Sequence, residues 1–168
     1  MFYKIKRWWR WEGKYLPGSI KESIQKLWYW FPIIWKDRDW DQHYIYEVLK
    51  HKLKAQAKYI GRRDYHTRSQ QDARNMRICV SLIEKLQDET YETEYLDYCK
   101  EADYTGYLKK YPLIYKKVLK GEGPWKVPGE DVLERDRFIA MNIAHINHNR
   151  LRKLLFKILE SEIEKWWD

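Results

Sequence analysis

A four-residue step runs through the middle of this chain. Ile45, Leu49, Leu53, Ala57 and Ile60 recur at that step or one short of it, with Trp40, Tyr44 and Val48 beside them. Side chains three and four apart share one face of a helix, whereas a half-buried strand needs strict alternation, so this period selects helix. Lys50, Lys54 and Lys58 form a second row on another face, and Gly61 is placed to end the element. Asp39 or Asp41 can cap its start, because a carboxylate there accepts from the free first-turn amides.

The same period recurs on both sides. Ile20, Ile24, Leu27, Trp28 and Phe31 predict a first helix of about 13 residues, opened by Ser19 and Glu22 as a capping box after the Pro17-Gly18 turn. Pro32 lacks an amide hydrogen, so the chain is expected to bend there. Met76, Cys79, Val80, Ile83 and Leu86 mark the buried stripe of a third helix, with Ser69 and Asp72 suggesting its capped start. Cys79 on that stripe reads as a plain buried thiol. From about Glu130 to Trp166 the pattern is one long or once-broken helix, extending about 55 Å if uninterrupted. Residues 104–129 are the least regular: a short helix from Tyr107 to Leu119, broken at Pro112, then a Gly- and Pro-rich loop carrying Trp125. Residues 2–11 partly alternate and suggest an edge strand or extended arm. The resulting expectation is an all-α, antiparallel helical bundle in a single domain over residues 1–168. It has a short extended N-terminal arm (1–17), an irregular connector (104–129) and a long C-terminal helix.

Composition matters next. Ten Trp and fourteen Tyr exceed what a core of 168 residues needs, so many rings should be half buried, as at interfaces and ligand sites. The net charge of +8 favours anionic partners. Against it, Asp88, Glu89, Glu92, Glu94, Asp97, Glu101 and Asp103 form an acidic stretch relieved only by Lys100, with Tyr91, Tyr95 and Tyr98 at helical step through it. Such a stretch suits partnership with the basic faces, within one chain or between subunits. Cys79 and Cys99 make neither a disulfide framework nor a metal-type spacing. The cation-studded start does not resemble a secretory signal, and no stretch is long and uncharged enough to span a bilayer. An intracellular, reducing location and no membrane partner are therefore expected.

The densest recognition chemistry is Trp35-Lys36-Asp37-Arg38-Asp39-Trp40-Asp41: three carboxylates, two cations and two indoles in seven residues. This suits a ligand flat at one end and ionic at the other. Trp35, Trp40 or Tyr44 would stack on a base, Arg74 and Arg77 would fork onto phosphates with Arg38 nearby, and Asp41 would accept from ribose or an exocyclic amine. Asn142, His145, Asn149 and Arg152 share a face of the last helix and form a candidate donor-rich wall. The lysine row Lys50, Lys54 and Lys58 continues into Arg62, Arg63 and Arg68 as the candidate surface for nucleic acid.

Catalytic and metal motifs are missing. His145 and His148 lie three apart, but the local sequence supplies asparagines instead of a third strong ligand, so no metal is expected. Ser19, Ser69 and Ser81 have no adjacent base, and the Gly121–Gly129 segment lacks the phosphate-loop pattern. Neither cofactor nor enzymatic activity is expected.

With Leu27-Trp28-Tyr29-Trp30-Phe31, the W-K-D-R-D-W-D motif, the Lys-rich helix after it, Asp72-Ala73-Arg74 and the ending Leu154-Leu155-Phe156-Lys157 and Trp166-Trp167-Asp168, the chain resembles a family of small uncharacterised proteins of tailed bacteriophages. The resemblance covers about two thirds of the sequence and thins between Asp103 and Gly129. It implies an accessory protein made in a host bacterial cytoplasm, and carries over no catalytic or ligand residue. The functional expectation is a homo-oligomeric, non-enzymatic phage accessory protein. It would bind and sequester a small phosphorylated ligand, such as a nucleotide-type immune signal, as an anti-defence sponge. The alternatives are a nucleic-acid-binding accessory protein and a protein antagonist that docks on a host defence enzyme.

Overall fold

Helical periodicity throughout the described sequence produces helices and nothing else. A computed structural model describes residues 16–36, 41–63, 67–99, 103–129 and 131–167, and every regular element among them is helical. They are α1 (Leu16–Ile34), α2 (Gln42–Arg63), α3 (Ser69–Gln87), α4 (Thr90–Thr93), α5 (Leu96–Cys99), α6 (Thr105–Lys110), α7 (Pro112–Leu119), α8 (Val132–Glu162) and a closing 3-10 turn, η1 (Glu164–Trp167). The arm expected over 1–17 lies outside the described residues as far as residue 15. Contacts divide the chain into two compact units, Met1–Val48 and Leu49–Asp168. Among the described residues no helix is long and apolar enough to cross a membrane.

The first unit holds α1 and the opening turns of α2. Instead of starting at Ser19, α1 begins at Leu16, with Pro17 in its first turn, where a missing amide hydrogen costs nothing. It also runs through Pro32 to Ile34. Proline there removes one bond near the helix end, and Trp35 N–H still reaches the Phe31 carbonyl at 2.9 Å. The stripe predicted to be apolar is largely solvent-facing. Ile20, Ile24, Leu27, Trp28, Phe31, Ile34 and Trp35 are all exposed, Leu27 by 65% and Trp28 by 72%.

The second unit is an antiparallel arrangement of α2, α3 and α8. Leu53, Ala57 and Ile60 are buried as their spacing predicts. Lys50 bonds Gln87 at 2.6 Å, Lys54 pairs with Glu84 at 2.7 Å, and Gln70 reaches the Gly61 carbonyl at 3.2 Å. Rising residue numbers on α2 thus meet falling ones on α3. Gly61 does not stop α2, which continues to Arg63. A Cβ there would lie 3.3 Å from the Ala73 Cβ and 3.1 Å from an Arg77 nitrogen, so glycine serves close approach of α3. On α3 the predicted stripe Met76, Cys79, Val80, Ile83 and Leu86 is buried, and burial pushes the Cys79 thiol up to about 11. The helix starts without a side-chain cap: Arg68 is the cap residue, and Ser69 and Asp72 are buried inside the first turn. Arg68 pairs with Glu162 at 3.1 Å and, beyond the other end of α3, Glu92 faces His148 at 3.6 Å, so α3 and α8 also run antiparallel.

The connector over 104–129 is more ordered than expected. Tyr111 precedes a proline and leaves helical geometry (φ −122°, ψ 55°), which separates α6 from α7, and Pro112 then starts α7. Tyr104, Tyr107, Ile114 and Val118 pack with Ile139, Ala140 and Ile143 of α8 into a core cluster. Only the segment beyond Leu119 is irregular. Glu94, from the acidic stretch, pairs with Lys110 and accepts from the Tyr111 hydroxyl at 2.6 Å. Burial, then that carboxylate, push the Tyr111 phenol up. One carboxylate of the acidic stretch thus meets a lysine of the connector, whereas Lys54 of the α2 row pairs with Glu84 of α3. Asp131 caps α8 by accepting from Leu133 N–H at 2.9 Å, and the helix spans 31 residues, about 46 Å.

Candidate functional site

Three clefts among the described residues redistribute the side chains singled out from sequence. The first lies in the N-terminal unit. Pro32, Ile33, Lys36, Asp41, His43, Tyr44 and Glu47 enclose about 390 Å³. Asp41 and Tyr44 are brought together there, but Asp41 Oδ1 already accepts from His43 N–H at 2.8 Å and so acts as the helix cap. Charges of both signs line this cleft and give it no clear preference. Trp35 is not in its wall: the ring stacks on Phe31 at 5.5 Å and is 77% exposed. Arg38 and Trp40 lie outside the described residues.

The second cleft lies between α2 and α3 and is cationic. Lys54, Lys58 and Arg62 project from successive turns of α2, and Arg77 projects from α3, over a floor of Ala57, Gly61 and Val80, enclosing about 420 Å³. Only a floor of small residues lets the two helices approach closely enough for their cations to share this space. The Lys54–Glu84 pair offsets part of the charge, but both partners are about half exposed, so it contributes little stability. The cleft merges two expectations: Arg77 comes from the nucleotide reading, and Lys54, Lys58 and Arg62 come from the nucleic-acid reading. Others fall elsewhere. Arg74 is exposed but outside the lining, Lys50 is engaged with Gln87, and Arg68 is engaged with Glu162. Arg63 ends α2.

The third cleft, about 240 Å³, is lined by Glu92, Tyr95, Trp125, Met141, Ala144 and His145. Its geometry starts from Asn142, which is fully buried on α8. The Asn142 amide donates to the Trp125 carbonyl at 2.9 Å, and its oxygen accepts from Trp125 N–H at 3.2 Å. Gly123 permits this clamp, because a Cβ on it would collide with the Asn142 side chain, and its φ of +147° suits glycine. Clamped in this way, the Trp125 indole meets the His145 ring edge-on at 5.3 Å.

His145 is held from its other side. Arg152 is a donor only and gives a hydrogen bond to Asn149 Oδ1 at 3.0 Å, which orients that amide with its nitrogen 2.6 Å from His145 Nε2. Asn149 and Trp125 thus hold the imidazole from two sides. The predicted row Asn142, His145, Asn149 and Arg152 is therefore brought together, with Asn142 turned inward as a loop clamp and the other three forming a relay. Glu92, Tyr95 and Met141 were not expected here. Tyr95 and Glu92 belong to a stretch read for its charge and for the helical step of its tyrosines, and the available signal was the glycine two residues before Trp125.

Among the described residues no group of three or more His, Cys, Asp or Glu side chains is placed to hold a metal ion. No family model, curated protein or solved structure matches the chain.

Proposed function

We propose that this chain is a non-enzymatic binding protein that captures a small phosphorylated ligand, of the nucleotide type, in the cationic cleft between α2 and α3. The observation that carries this reading is the convergence of Lys54, Lys58, Arg62 and Arg77 on one small-floored cleft. Lys58, Arg62 and Arg77, beside a Lys54 partly offset by Glu84, place like charges around one cleft, and a phosphate group relieves their repulsion while accepting forked hydrogen bonds from arginine. Capture without turnover lowers free ligand by mass action, which is the logic of a sponge for a nucleotide immune signal in a phage-infected bacterial cytoplasm. The phage resemblance of the W-K-D-R-D-W-D signature supports that setting. Self-association fits the same reading. The exposed apolar residues of α1 follow coiled-coil spacing, so a second copy is the proposed cover.

A nucleotide panel read by thermal shift tests the proposal. One phosphorylated class should raise the melting temperature, be recovered intact by chromatography, and lose its effect with Lys58→Glu and Arg77→Glu. If no phosphorylated ligand stabilises the wild type, capture is excluded. One further observation favours nucleic acid as the second reading: Lys54, Lys58 and Arg62 extend over about 12 Å of α2, enough to follow a short run of phosphates. Under that reading affinity grows with oligonucleotide length. It also falls with salt at a log–log slope of roughly −2 to −3 for three or four neutralised phosphates of a single strand.

A further inference from the structure

We propose that the cavity beneath Trp125 is a second, separate binding site, and that its ligand is an organic cation of the alkylammonium class. The lining chemistry selects the charge. Tyr95 and Trp125 offer π systems whose faces carry negative potential, Met141 offers a polarisable thioether, and Glu92 offers a carboxylate. Among the described residues no lysine or arginine lines the cavity, so the described wall presents no long cationic side chain to an anion. This preference is opposite to that of the α2–α3 cleft.

Rigidity and size agree with the charge argument. Asn142 fixes Trp125 through both its N–H and its carbonyl, and the Asn149–Arg152 relay fixes His145, so binding orders few side chains. A volume of about 240 Å³ admits an ammonium head with a few methylenes, not a folded peptide. The surrounding sequence supplies the field. Glu92 lies in the acidic stretch of an otherwise basic chain, and Asp88, Glu89 and Asp97 on neighbouring turns are exposed, whereas Glu94 is engaged by Lys110 and Tyr111. Negative potential there concentrates multiply charged amines at the mouth. Glu92 also faces His148 at 3.6 Å, a contact a bound cation would share. The acidic stretch, left over from anion binding, thereby acquires a role.

Titration calorimetry on the full chain tests this with choline, its uncharged isostere 3,3-dimethyl-1-butanol, and spermidine. Choline or spermidine should bind, the isostere at least about tenfold more weakly, because ring faces and carboxylate reward charge and not shape. Glu92→Gln should weaken the cation at least about tenfold, and Trp125→Ala similarly. Trp125→Ala also removes packing from the loop, so the half-buried Glu92 position decides. Lys58→Ala, in the other cleft, should leave cation binding unchanged, so the two proposals fail separately. Absence of binding by both cations, equal binding of the isostere, or indifference to Glu92→Gln overturns the inference.

Discussion

Asn142→Ala is the substitution whose cost the structure defines best. The side chain is fully buried and makes three hydrogen bonds: amide to the Trp125 carbonyl and to the Phe138 carbonyl, both 2.9 Å, and oxygen from Trp125 N–H at 3.2 Å. Phe138 lies one helical turn back, where its carbonyl keeps the ladder bond, so that loss is small. The two groups of Trp125 lose a partner each, at about 1 kcal/mol apiece because the part-exposed loop readmits water. A small void adds to this, for a total of about 2–3 kcal/mol. The melting temperature should fall by roughly 5–10 °C. Asn142→Asp separates polarity from volume. It fills the same space and keeps the acceptor for Trp125 N–H, but turns an oxygen toward two carbonyls and buries charge. It should therefore cost more than alanine, about 3–5 kcal/mol. Urea unfolding followed by far-UV circular dichroism measures both. An aspartate variant milder than alanine would falsify the clamp, since filling space would then matter more than donating.

Other outcomes follow from particular contacts. Tyr107 is fully buried and its hydroxyl has no hydrogen-bond partner among the described residues, so Tyr107→Phe should be neutral or stabilising by about 1 kcal/mol in the same unfolding assay, and a marked loss would refute this. The Glu162 carboxyl is held below its ordinary 4.5, chiefly by the hydrogen bond from Lys165 with Arg68 adding to it. A depressed folded value means stability that is present above pH 4.5 and lost as pH falls through the folded value, so Glu162→Gln should flatten that acid limb in pH-dependent melting. Leu27→Glu, on the exposed face of α1, should convert a dimer to a monomer in analytical ultracentrifugation, and a wild-type chain that already sediments as a monomer removes the self-association proposal.

On α3, five apolar residues at helical step predicted five buried side chains, because one face of one helix is decided by local spacing alone. Caps were less legible. Asp41 and the α8 start behaved as a capping residue requires, yet Ser69 was drawn inside its helix and buried, and Ser19 was overrun by a helix beginning three residues earlier. A capping box states where a helix can start, and packing of the next turn selects among the options. Residues 104–129 look irregular because Pro112 interrupts the period, although each side of the break is helical and supplies the tyrosine-rich cluster.

The sequence by itself determined the helical class, the core stripe of α3 and the presence of two opposed charge populations, since each follows from period or composition within one segment. Only the tertiary structure decided which charges meet. Gly61 lets α3 close on α2, so Arg77 joins Lys54, Lys58 and Arg62 from another helix, while Asn142 draws Trp125 across 17 residues of chain onto His145. These are distances between segments, set by how side chains of particular volume pack, and no spacing along the chain encodes them.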